Sequence, residues 1–313
     1  MKTVTCLITK KSLRAKFLEL VGSMPEKVMP DVCVEYEKDM GDYTEKRFTY
    51  ATEKYSRVPC HLWIPKDEKE KHSVIICVQG HSSGMHISMG RVKYEGDEEI
   101  ISGGDRDFAI QAIKEGYAAL VIEQRGMGER KTDKMTTKTT CEYPSLSALL
   151  IGRTMVGERI WDISRAIDAL SFFEELDTER IGIMGNSGGG TCAFYAACFD
   201  ERIKIVMPSC SVCTYKDSIG AMYHCVCNYI PNAALHFDMG DLSALIAPRP
   251  IVVVCGSKDK IFPIHGVKET YNIIQKIYKK AGAIDNCSLV IGEGGHRFYA
   301  NSSWDVLRKY DIL

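Results

Sequence analysis

The run Arg180-Ile181-Gly182-Ile183-Met184-Gly185-Asn186-Ser187-Gly188-Gly189-Gly190-Thr191-Cys192-Ala193-Phe194-Tyr195-Ala196-Ala197 decides how this chain is read. Its opening is apolar, as a buried strand would be, and its close is built of small residues that suit a tightly packed helix. Between them a serine stands in a Gly-x-Ser-x-Gly pattern, which reads as strand, sharp turn and helix with the serine at the apex. Side chains on the flanking positions would collide with the strand and the helix, so glycine is required there. The hydroxyl is pushed outward into a cleft, and Ser187 becomes a candidate nucleophile. A purely structural Gly/Ser-rich turn is the alternative, and it gives no reason for the flanking elements.

A serine hydroxyl is a poor nucleophile until a base removes its proton, so a histidine and a carboxylate are required further along. Pro250-Ile251-Val252-Val253-Val254-Cys255-Gly256 is β-branched and apolar throughout, a buried strand, and Asp259 lies in the loop after it. Cys287-Ser288-Leu289-Val290-Ile291 is the next strand, followed by Gly292-Glu293-Gly294-Gly295-His296. Ser187, Asp259 and His296 thus fall just beyond the carboxyl ends of successive strands, where an open α/β sheet places its ligand crevice. Asp238 and Asp241 are rival acids, but they precede a short helical pattern, and capping is the better role for Asp241. His265 opens a helix running to about Ala281 and reads as a surface or capping residue. Acyl transfer also needs backbone donors for an oxyanion: the Gly188 amide is one candidate. The His81 amide, in the loop Gln79-Gly80-His81-Ser82-Ser83-Gly84 after strand Ser73–Val78, is the other, with no catalytic part expected of its ring.

These residues resemble the serine esterases of the α/β-hydrolase fold, in particular the branch of acetyl xylan esterases, cephalosporin C deacetylases and dienelactone-hydrolase-related enzymes. The resemblance is carried by Gln79-Gly80-His81, Arg125-Gly126-Met127-Gly128, the Ser187 turn, Ala247-Pro248-Arg249-Pro250 and Gly295-His296, in that order, and runs from about residue 45 onward. It implies a serine carboxylesterase that cleaves acetyl or other short-acyl esters, carbohydrate esters among them, without metal or organic cofactor. Arg125 would be a buried structural cation holding loops under the site. The sugar-deacetylase pattern has Gln after the nucleophile and Glu after the histidine, where this chain has Gly188 and Arg297, so an esterase is implied more firmly than a sugar deacetylase. A prolyl-oligopeptidase-like peptidase is the alternative, disfavoured because no propeller-sized N-terminal region is present; a non-catalytic hydrolase-like binding protein is a second.

The surrounding sequence reads as one α/β unit: a doubly wound, mostly parallel sheet with helices on both faces and short cap segments. An amphipathic helix is expected over 12–21, an antiparallel pair over 46–64, a helix over 105–115, a strand over 117–123, and a helix over 157–175. Residues 1–45 are taken as a helical extension packed on a catalytic domain of 46–313. The segments 129–155 and 212–238 are the candidate caps, with Ser82, Tyr215, Met222, Tyr223 and Tyr229 as candidate pocket residues. In 313 residues, 40 Lys+Arg against 41 Asp+Glu leave a net charge of −1, which steers the protein to neither nucleic acid nor an anionic membrane and suits a small-molecule ester. A homo-oligomer is left open. The first residues, Met1 to Thr9, return to Lys10 and Lys11 before forming an apolar core, so no signal peptide is read there, and no run reaches membrane-spanning length. Thirteen cysteines scattered through strands and helices point to a reducing, cytoplasmic setting. Cys210, Cys213, Cys225 and Cys227 with His224 make a zinc site conceivable, yet C-x-C partners C-x-x-C awkwardly, and buried apolar cysteine is the reading adopted.

Overall fold

A computed structural model describes residues 9–132 and 140–310. The expectations about residues 1–8, and the part of the first cap segment over 133–139, lie outside them. Among the described residues nine strands form a single sheet: β1 (Cys33–Asp39), β2 (Tyr43–Glu53), β3 (Ser56–Pro65), β4 (His72–Val78), β5 (Ala118–Ile122), β6 (Leu176–Asn186), β7 (Ile203–Ser209), β8 (Ile251–Gly256) and β9 (Cys287–Gly292). Their spatial order is β1-β2-β3-β5-β4-β6-β7-β8-β9. The first three strands and β5 pair antiparallel; from β5 through β9 all pairs are parallel.

Alternate side chains of the central strands feed two separate cores. Val74, Ile76 and Val78 face one layer with Ile251, Val253 and Cys255, while Ile75 and Cys77 face the other with Val252 and Val254. That is the period-two geometry of a strand buried on both faces, and it explains why these segments read as unbroken apolar runs. The first layer holds α1 (Lys10–Val21), α4 (Met155–Leu170), α5 (Gly188–Phe199), the short α6 (Met239–Leu242) and α7 (Ile264–Lys280); the second holds α2 (Phe108–Lys114) and α8 (Ala300–Leu307). Helix α1 plants Leu13, Phe17 and Val21 on the first core, with Phe17 stacked on Tyr195 at 5.9 Å. A further helix, α3 (Glu142–Leu149), lies in the connection before α4.

Several boundaries differ from the sequence reading. Residue 45 lies inside β2, paired with Trp63, so the segment before it contributes β1 as well as a helix. β6 begins at Leu176 rather than 180 because its first residues already pair with His72 and Ser73, and α4 accordingly stops at Leu170. α2 starts at Phe108, since Asp105 takes a left-handed φ of 51° that no helix admits.

The chain runs from β4 outward to β5 and then returns to lay β6 on the other side of β4. This reversal is the switch point of a doubly wound sheet, and the crevice it opens lies beyond the carboxyl ends of β4 and β6.

Candidate active site

At the end of β6, Ser187 has φ 57° and ψ −127°, a left-handed conformation that is strained for a residue with a side chain and that aims it out of the sheet. From Ile181 to Cys198 every residue is buried except Ser187. Glycine is needed beside it on steric grounds: a Cβ on Gly189 would overlap the Val78 carbonyl oxygen, and one on Gly185 would lie 2.5 Å from the Gly189 carbonyl carbon. The loop after β4 closes directly on this turn. A Cβ on Gly80 would stand 3.0 Å from Ser187 Cβ and 3.2 Å from the Gly188 amide nitrogen, and one on Gly188 would stand 3.1 Å from His81 Nδ1. Ser187, Gly188 and the His81 loop are therefore gathered at one point.

Asp259 follows β8 and His296 follows β9, adjacent strands in parallel register. His296 Nδ1 meets Asp259 Oδ2 at 2.8 Å. The Asp259 side chain has no exposed surface, while that of His296 keeps 20%. Asp259 Oδ1 accepts from the amides of Ile261 at 2.8 Å and Phe262 at 3.2 Å. Burial opposes its charge, but the hydrogen bond and charge of His296 together with these amides outweigh it and hold the carboxyl below the usual carboxylate range. The pair reaches the serine turn through β7: the Ser187 amide donates to the Ser209 carbonyl at 2.9 Å, and the next residue, Cys210, brings its sulfur within 4.8 Å of the Asp259 and His296 ligand atoms.

The rival residues are elsewhere engaged. Asp238 and Asp241 form a reciprocal capping box on α6. His265 reaches Asp217 at 3.5 Å on the α7 start. Arg125 sits in a buried ionic cluster, donating to Asp162 at 2.9 and 3.0 Å and to Glu53, with Glu158 at 3.2 Å, while Arg130 reaches the same Asp162 carboxylate at 2.6 Å. Beneath the serine-side loops, Glu123 accepts from the Met85 and Glu129 amides at 3.2 Å each, and burial pushes its carboxyl up to about 7.

Of the candidate pocket residues, Tyr215 is placed differently from expectation: its hydroxyl meets Tyr195 on α5 at 2.8 Å and its ring packs on the first core, so it is a core residue. Met222, Tyr223 and Tyr229 remain exposed on the second cap segment, and Ser82 Oγ is buried without a hydrogen-bond partner among the described residues. Cys141 Sγ lies 2.9 Å from Cys225 Sγ, so the two cap segments touch. Two residues that sequence reasoning did not single out for the site border it. Phe262 stacks on His296 at 5.9 Å, and His224 presents its ring edge-on to Phe262 at 5.5 Å. Both sit on loops whose spacing carries no signal.

The conceivable zinc set divides. Cys210 donates to the Arg297 carbonyl at 3.2 Å, and Cys213 lies against the Pro263 carbonyl at 3.9 Å. Cys225 and Cys227 instead join Cys141 and the His81 ring.

Comparison with known proteins gives related assignments. A model of the Abhydrolase family matches residues 7–289. A Bacillus subtilis (strain 168) protein designated a hydrolase, YtaP, is 28% identical over 249 residues, covering 77% of this chain and 79% of that protein. The crystal structure of a Bacteroides fragilis NCTC 9343 protein designated an acetyl xylan esterase superposes with a TM-score of 0.76 at 17% identity, over 91% of this chain and 74% of that one. A glucuronoyl esterase from Solibacter usitatus superposes with a TM-score of 0.70 at 17% identity, over 96% and 90%.

Proposed function

This chain belongs to the Abhydrolase family, and from that premise we propose that it is a serine carboxylesterase whose nucleophile, base and acid are Ser187, His296 and Asp259. The observation that carries the proposal is the hydrogen bond of His296 to a fully enclosed Asp259 beside a strained serine turn whose only accessible residue is Ser187. His296 takes the Ser187 proton as the oxygen attacks the ester carbonyl; Asp259 fixes the ring with its proton on Nδ1 and stabilises the imidazolium without itself being protonated. The amides of Gly188 and His81 receive the oxyanion. The alcohol leaves with the proton held by His296, and water, deprotonated by the same ring, hydrolyses the acyl-enzyme.

Short-acyl esters, carbohydrate esters among them, are the proposed substrates. Support comes from the names of the structural relatives, an acetyl xylan esterase and a glucuronoyl esterase, and from cap segments too short to enclose a long acyl chain. Among the described residues no helix is long and apolar enough to cross a membrane; cysteine usage favours a cytoplasmic location. The test is covalent labelling by a fluorophosphonate, with turnover measured on nitrophenyl esters and aminoacyl anilides. Wild type is expected to label at Ser187 and to prefer esters, and Ser187→Ala to lose labelling and at least ~10³-fold in turnover with its fold retained. Turnover of Ser187→Ala within tenfold of wild type overturns the nucleophile; preference for anilides overturns the esterase in favour of a peptidase.

A further inference from the structure

We propose that Cys141, Cys225, Cys227 and His81 form a structural metal site, of the kind that takes zinc, tying both cap segments to the loop that abuts the serine turn. The sulfurs of the three cysteines and a ring nitrogen of His81 lie within 4.8 Å of one another. His81 Nε2 is 3.3 Å from Cys141 Sγ and 3.3 Å from Cys227 Sγ, and Cys141 Sγ is 2.9 Å from Cys225 Sγ. A tetrahedral ion with sulfur ligands at about 2.3 Å spaces them about 3.8 Å apart, so each of these edges opens by less than an ångström to receive it. Three thiols and one imidazole, with no fourth position left for water, is the donor set of a closed structural site and selects a soft or borderline ion over calcium or magnesium.

Local structure presents these donors to one point. Cys141 caps the N-terminus of α3, immediately before Glu142, where the helix end favours a thiolate. Cys225 and Cys227 lie on a tight turn, closed by the Asn228 amide on the Cys225 carbonyl at 3.0 Å, which brings a C-x-C pair to bear on one centre. All three cysteines are buried.

The charge balance of the surroundings points the same way. The Arg159 guanidinium is buried beside the cluster, where the Cys227 and Cys141 thiols favour its charge, and it donates to the Arg125 carbonyl at 2.8 and 3.3 Å. A buried cation needs an anion. Three thiolates, one divalent ion and a neutral imidazole sum to one negative charge, which Arg159 neutralises; among the described residues no carboxylate forms an ion pair with Arg159 to take that part.

The site has a consequence for its neighbour. With Nε2 on the metal, the neutral His81 ring carries its one proton on Nδ1, the nitrogen that faces Gly188. The loop bearing the proposed oxyanion donor would then be held to the caps by coordination as well as by packing.

The inference does not depend on the esterase reading, and its test needs no turnover. The full chain, expressed in zinc-supplemented medium and purified with a reductant, is analysed for metal; the apoprotein is then titrated with cobalt. About one zinc per chain is expected, with thiolate-to-cobalt charge transfer in the near ultraviolet and the intense visible bands of a tetrahedral centre. Cys225→Ser/Cys227→Ser is expected to reduce bound zinc more than tenfold, whereas Cys213→Ser, which alters a nearby cysteine outside the cluster, keeps it. The cobalt spectrum of the unaltered chain decides the matter should the double variant fail to fold. Substoichiometric metal with no charge-transfer band, undiminished zinc in the double variant, or a Cys141–Cys225 disulfide in the chain as isolated would each overturn the site.

Discussion

Replacing Asp259 by Asn isolates one hydrogen bond from the rest of the site. Asp259 Oδ1 holds the loop through the Ile261 and Phe262 amides, and an asparagine oxygen can keep both. Only the other end changes: where Oδ2 accepted from His296 Nδ1 at 2.8 Å, an amide now donates. The ring must take the opposite tautomer, with its proton on Nε2, and so cannot accept the Ser187 proton; the imidazolium also loses its counter-charge in a spot with no exposed surface to admit water. Loss of this arrangement in a serine triad costs about 10⁴-fold in kcat, which corresponds to about 5 kcal/mol of transition-state stabilisation. Steady-state kcat/KM on nitrophenyl acetate, together with the fluorophosphonate labelling rate, should fall by that order while the thermal midpoint stays near the parent's. Asp238→Asn is the control: Asp238 accepts from the Met239 and Tyr215 amides, which asparagine can also serve, so its effect on turnover should stay within about threefold. An Asp259→Asn enzyme within tenfold of wild type, or equal damage at Asp238, refutes the assignment of the acid.

Three further expectations follow from particular contacts. Glu123 is an acid whose pKa rises on folding to about 7, so its protonated form is the one folding favours: the stabilisation is complete below its unfolded value and is lost as pH climbs through 7. Glu123→Gln, which can still accept from the Met85 and Glu129 amides, should therefore gain stability over wild type progressively between pH 5 and 8, by about 3 kcal/mol at most; a pH-independent gap in denaturation midpoints refutes this. Gly80→Ala would press a methyl onto the Asn186 carbonyl oxygen and the Gly188 amide, and kcat should drop by about 10²-fold with KM little changed; a kcat within threefold of wild type shows that this loop is not part of the oxyanion site. Across nitrophenyl esters from acetate to octanoate, kcat/KM should fall, and a preference for octanoate replaces the short-acyl reading with a medium-chain or lipase-like one.

What could be read from the chain was whatever repeats a local rule. Val74–Val78 and Ile251–Cys255 are apolar on consecutive residues because both faces of the sheet are covered, and Gly185, Ser187 and Gly189 are fixed by contacts within a few residues of themselves and the Val78 carbonyl. The loops bearing Asp259 and His296 could be found because each directly follows such a strand. β1 escaped notice since none of its seven residues is buried and only its ladder to β2 makes it a strand. Cys141 stands 84 residues from Cys225, and the chain between them holds α4, β6, α5 and β7, so no spacing rule joins them. Tyr215 was misjudged for a related reason: an aromatic beside a presumed pocket is indistinguishable in sequence from one whose hydroxyl finds Tyr195 in the core.

The ionic cluster around Arg125 and Asp162 bears on how such a chain can diverge. Asp162 serves two arginines and Glu53 serves Arg125 and Arg153, all mostly enclosed by protein. Deleting any one member strands a buried charge at a cost of about 3–5 kcal/mol, whereas replacing the group together with apolar residues of matching volume can be neutral. Descendants of this sequence are thus confined, at these positions, to steps taken jointly: a lineage must cross a valley of poorly folding single mutants or keep the set intact, and the loops resting on it inherit that inertia.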